Sequence, residues 1–142
     1  MNGRHRRKEG GAALVEFALV LPLLLLAVFG MIDMGRLILV QIMVTNGARE
    51  GVRMVALNQP AADVTTRINA GMQNVSMLLG GGSIVIPPPI ACPASPGPSS
   101  AASVTVKTSG FTWVAVGGIT GLFGGSISPP QPSATASMRC AG

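Results

Sequence analysis

The sequence predicts an α+β protein: a long N-terminal helix that crosses a membrane, then a short helix and a small antiparallel β-sheet outside it. Three observations carry this. Residues 10–30, GGAALVEFALVLPLLLLAVFG, are almost wholly apolar, and a run of that length spans the roughly 30 Å hydrocarbon core as a helix. The apolar positions Val40, Val44, Ala48, Val52 and Ala56 recur every four residues, the helical period. SVTVKT and SATASMRC, far downstream, alternate apolar and polar residues, the strand period. The whole chain has 142 residues, 48% of them hydrophobic and 11% charged. A soluble domain carries roughly 25% charged residues, so the composition points to a membrane or assembly protein.

Residues 1–11 read as a short polar, basic leader. Arg4, Arg6, Arg7 and Lys8 crowd it, beside His5 and Glu9. Such a cluster also suits a nucleic-acid arm. Because it abuts a long apolar run, it reads instead as a topology signal, with Lys and Arg held on the cytoplasmic side. No nucleic-acid partner is expected. The N-terminus is placed inside and the rest of the chain outside, in a single pass through the inner membrane. Membrane lipid is the first partner this implies.

One long helix is expected over residues 12–57, on the order of 70 Å at about 1.5 Å per residue. Its span covers residues 12–32, and its amphipathic part residues 33–57. Gln41, Thr45, Arg49 and Arg53 form a polar stripe beside the apolar one, and Glu50 stands at pairing distance from Arg53. Asp33 offsets Arg36, and Glu50 offsets Arg49. Gly47, Ala48 and Gly51 are small enough either to admit another helix or to pack beneath the exterior domain. Met31, Met34, Met43 and Met54 read as packing surface rather than metal ligands, since no His or Cys supports them. Pro22 is tolerable in a membrane helix and serves either as a passive kink or as a hinge.

Residues 58–142 form the exterior α+β domain. Pro60 stops the long helix and can open the next at its first turn. Ala61, Val64, Ile68, Met72 and Val75 mark a second helix that should stop near Leu79, before three glycines. SIVIPPP reads as a short strand ended by prolines, and CPASPGPSSAAS as loop. FTWVAV is a further strand candidate or an apolar patch. GGITGLFGGSISPPQP reads as an exposed glycine-rich stretch around Leu122 and Phe123. Cys92 and Cys140 both fall on the oxidising side, and an even count there favours one disulfide over two free thiols.

Glu16 is the anomaly. Near the cytoplasmic edge of the span a carboxylate can snorkel to the interface at modest cost. It is also five residues beyond Gly11. A cut after Gly11 would leave Ala12 with a largely cationic α-amine, one turn from the carboxylate. The Glu16 of one subunit could then meet the amine of the next, neutralising two charges that resist burial and setting axial register.

This combination of basic leader, Gly11, a carboxylate at the fifth mature position and an apolar helix resembles the type IV prepilin signature, and Phe17 beside Glu16 fits the Flp-type form. The resemblance is closest to the TadE/TadG-like minor pilins of tight-adherence (Flp) pili. GGAALVEFALVLPLLLL carries it, together with the acidic-x-Gly-Arg element Asp33-Met34-Gly35-Arg36 and the segment Thr45-Asn46-Gly47-Ala48-Arg49-Glu50-Gly51. The resemblance covers residues 9–57 and is loose from residue 60 on. It implies processing by a prepilin peptidase between Gly11 and Ala12, and assembly with other pilins and minor pilins on an inner-membrane platform. It also implies a role in adhesion or fimbrial biogenesis, with the subunit itself passing into the pilus. The rival reading is a signal-anchored exterior protein with a binding role; a secretory signal peptide is weaker, because Phe29-Gly30-Met31 lacks a small-x-small site. No enzyme, cofactor or metal site is expected: beyond residue 57 the only acid is Asp63 and there is no His, so acid–base chemistry lacks its parts.

Overall fold

A computed structural model describes residues 6–122 and 124–140, with side chains from Gly11 onward. Arg4 and His5 of the basic leader, and Phe123 of the glycine-rich stretch, lie outside the described residues.

Helix α1 (Arg6–Ala56) has 51 residues, about 75 Å of rise. It starts inside the expected leader, so the backbone is helical across Gly11 and Ala12. Residues 11–20 are exposed throughout, as are Leu23, Leu24 and Val28 farther along. This half of α1 is long and apolar enough to cross a membrane, and its most apolar stretch contributes nothing to the protein's own core. Pro22 sits inside the helix without ending it.

The second half of α1 is the spine of the head. Val40, Val44, Ala48, Val52 and Val55 are buried along one face, as the four-residue recurrence predicts, with Ala56 packed at the edge. On one side lie α2 (Ala61–Gly71) and α3 (Val75–Leu79). The sequence predicts a single helix here. The chain instead breaks after Gly71, and Asn74 adopts φ +67°, a left-handed conformation that Asn tolerates better than most residues. The apolar stripe survives the break: Val64, Ile68, Met72, Val75 and Leu79 are all buried. Pro60 is the residue just before α2, one position earlier than the first turn.

Beside α2 and α3, also packed on α1, lies a three-stranded antiparallel sheet in the order β1 (Ser83–Val85), β2 (Ala101–Ser109), β3 (Ser133–Arg139). Alternation decides which face is covered: Ala102, Val104, Val106 and Thr108 of the central strand are buried. Opposite them, Val104 pairs with Ala136 and Val106 with Ala134. FTWVAV does not form a strand. Phe111 instead plugs the core, its backbone N–H and C=O both bonded to the Gln131 side chain at 2.9 and 3.2 Å. The glycine-rich stretch begins with a short helix, α4 (Val116–Leu122).

Cys92 and Cys140 form the expected disulfide, with Cα atoms 5.7 Å apart. The Cys140 N–H also bonds the Ser100 carbonyl at 3.0 Å, which brings the end of β3 to the proline-rich loop.

Candidate functional site: the junction of helix and head

The junction lies where the apolar half of α1 meets its core-forming half, and two charged residues one turn apart build it. Asp33 is fully buried. Its Oδ1 accepts from Arg36 at 2.8 Å and from the Val114 N–H at 3.2 Å, while Oδ2 accepts from the N–H groups of Ala115 and Val116 at 3.0 Å each. Those amides lead into α4, where they would otherwise lack partners. Burial pushes the Asp33 carboxyl up, but the Val116, Ala115 and Val114 amides and the Arg36 guanidinium together outweigh it, and its pKa lies below the ordinary carboxylate value.

Arg36 turns the other way. Its second terminal nitrogen donates to the Leu78 carbonyl at the end of α3, and its guanidinium carbon lies 5.4 Å from the Phe111 ring centre. Phe111 in turn meets Trp113 edge to face, with ring centres 5.9 Å apart. The expected Asp33–Arg36 pairing is therefore present. Its partners 42 to 83 residues downstream carry no local signal in the sequence.

The other residues of the helix motif divide by face. Gly47 and Gly51 lie beneath the exterior domain: a Cβ on Gly51 would stand 2.7 Å from Ile68 and 3.2 Å from Val104, and one on Gly47 2.9 Å from the Met72 sulfur. Of the two roles open to these small residues, the fold uses packing within the chain. Gly35 is exposed, and a Cβ there meets nothing within 4 Å. Asn46 and Arg49 are exposed and line a shallow groove with Gln41 and Ile42. Glu50 approaches neither Arg49 nor Arg53. Its nearest cation is Arg67 on α2, at 3.7 Å between two exposed side chains, a contact worth little in water.

At the far end of α1, Glu16 and Phe17 are exposed, and Glu16 makes no ion pair with any described residue. Gly11 is open: a Cβ there meets nothing within 4 Å. Among the described residues, nothing occupies the Glu16 carboxylate.

One helix long and apolar enough to cross a membrane, carrying a small disulfide-closed α+β head, suits a single-pass anchored protein. The family of TadE-like proteins matches residues 11–53, so most of the long helix is similar to that family, as the residues around Glu16 and Asp33 imply. Neither a curated protein nor a solved structure matches the chain.

Proposed function

We propose that this chain is a TadE-like minor pilin or pseudopilin, a structural subunit with no catalytic role of its own, that takes part in assembling a tight-adherence pilus. The observation that carries this is the match over residues 11–53, which opens at the residue where a prepilin-type cut is expected. It supports association with the tight-adherence system. The Gly11, Ala12, Glu16 and Phe17 spacing supports the narrower role.

In this reading a prepilin peptidase removes the basic leader after Gly11 on the cytoplasmic side, and Ala12 becomes the N-terminus. Glu16 then accepts the amine of a neighbouring subunit, in a filament or in its assembly platform at the inner membrane. The head faces outward and adheres or docks through its own surface. Growth of a filament is driven by a separate ATPase.

The test is the N-terminal residue of the protein from cells with an active prepilin peptidase. Ala12 is expected. Gly11→Arg should leave the full-length form in the membrane; because Gly11 is in open space, that block reports the peptidase rather than folding. A mature chain that still begins at Met1 would sink the proposal.

A further inference from the structure

The glycine-rich stretch after Trp113 does not stay with the head. It folds back along the apolar half of α1. An open, mostly apolar groove of about 450 Å³ separates the two, lined by Pro22, Leu23 and Leu26 of α1 and by Ile119, Thr120, Gly125, Ser126 and Ile127 of the returning segment. Leu23 lies ten residues before Asp33 along the helix, about 15 Å, which is half of a roughly 30 Å hydrocarbon core. A segment at the level of Leu23 shares the depth of Leu23.

We infer that residues 114–122 and 124–127 form an apolar finger embedded in the outer half of the same bilayer that α1 crosses, with lipid acyl chains filling the groove between finger and helix. This rests on α1 being the span and the head lying outside. Three features fit the finger to that solvent. No Asp, Glu, Lys or Arg occurs from Thr108 to Met138. Its large outward side chains are apolar, with Leu122 85%, Val114 65% and Ile127 53% exposed, and Ser126 is the one exposed polar side chain among its described residues; a patch of this kind marks an interaction site.

The third feature is the backbone of α4 and of the turn that closes it; the Ser126, Ile127 and Ser128 amides beyond that turn make no hydrogen bond among the described residues. Polar backbone groups at membrane depth must be satisfied within the protein. The amides entering α4 are held by Asp33. Its far end closes with Gly125 N–H to Thr120 C=O at 2.9 Å and Gly124 N–H to Gly121 C=O at 3.1 Å. Gly124 has φ +72°, the left-handed glycine that such a helix end requires. The Thr120 hydroxyl turns inward to the Val116 carbonyl at 2.9 Å. Pro129, Pro130 and Pro132 on the way out have no N–H to leave unpaired.

Trp113 is the chain's single tryptophan, so depth can be read from one fluorophore. The full chain with Trp113→Phe is made with Leu122→Trp, with Ile127→Trp as a second finger position, with Leu23→Trp in the span, or with Met77→Trp on the exposed head. Each is reconstituted in phosphatidylcholine–phosphatidylglycerol vesicles, with and without mid-chain brominated lipid. The finger positions should be quenched by brominated chains about as strongly as position 23, emit to the blue of position 77 and resist acrylamide. If they behave like position 77 while position 23 is quenched by lipid, the finger is outside the bilayer and the inference is overturned with the anchor intact. Protection from both quenchers would also overturn it, since a protein surface such as a second copy would then cover the finger. If position 23 itself does not sense the brominated chains, the anchor reading fails and takes this one with it.

Discussion

Asp33 and Arg36, joined at 2.8 Å on successive turns of α1, spend their remaining hydrogen bonds on opposite flanks of the head. The carboxylate takes three amides leading into α4, and the guanidinium takes the last turn of α3. The pair thus fixes the head at one height on the helix. An apolar contact alone would tolerate sliding by a turn; buried, directional bonds to a charge do not.

Replacing Asp33 removes the acceptor of three amides and leaves Arg36 partly buried without its counter-ion. Asp33→Ala should destabilise the docked head by on the order of 3–5 kcal/mol, the usual cost of breaking a buried pair from one side. Asp33→Asn keeps one acceptor oxygen and should cost less. Chemical denaturation of the detergent-solubilised full chain, followed by Trp113 fluorescence, measures both.

The same carboxyl sets a pH dependence. Its folded pKa lies below the ordinary value, so its contribution is fully present above the unfolded Asp value of about 4 and is lost as pH falls through the lower folded value. Wild-type stability should therefore decline in acid below about pH 4, and that part of the decline should be missing in Asp33→Asn. An equal decline in both would show that Asp33 does not control it.

The glycines of α1 should separate by environment. Gly51→Ala forces a methyl group against Ile68 and Val104 and should cost about 1–3 kcal/mol as overpacking. Gly47→Ala meets the flexible end of Met72 and should cost less. Gly35→Ala enters open space and should stabilise the helix by about 0.5–1 kcal/mol. Thermal melts of the three variants give the order, and Gly35→Ala as the least stable would contradict it.

Breaking the disulfide lengthens the unfolded chain's freedom. The two cysteines are 48 residues apart, for which the chain-entropy model gives roughly 4 kcal/mol. Cys92→Ser with Cys140→Ser should lower the denaturation midpoint by a corresponding amount. An unchanged midpoint would mean that the bridge adds no stability.

Glu16→Ala removes a charge from an apolar helix, so insertion should be unchanged or slightly better. The variant should be stable, yet fail to co-purify with other pilins and support little surface piliation. Normal assembly would show that the carboxylate serves only at the membrane interface.

Much of this fold was legible because its signals are periodic. Val40 through Val52 announce the buried face of α1, Val104 and Val106 announce β2, and the even cysteine count in the part expected outside the membrane announces the bridge. The break at Asn74 was hidden because the apolar stripe runs through it undisturbed. Helix α4 was hidden by its glycines, which have poor helix propensity; its entry is held by a carboxylate more than 80 residues away. The Asp33–Arg36 pair was visible at its three-residue spacing, but its long-range partners were not. A signal did exist in the charge-free run from Thr108 to Met138, which a domain facing water throughout has little reason to maintain. Phe111 shows the same limit: FTWVAV reads as a strand or an apolar patch because its residues suit either, and tertiary packing gives its first residue to the core.

The disulfide also has a topological result. It closes a covalent ring from Cys92 to Cys140 that contains β2, the whole of α4 and β3. A protease that nicks the exposed chain inside this ring, in the proline-rich loop at Ser99 for instance, produces two fragments that still migrate as one species. The cut strand remains threaded through the sheet and tied at both ends, and only a reductant reveals that the backbone has been severed.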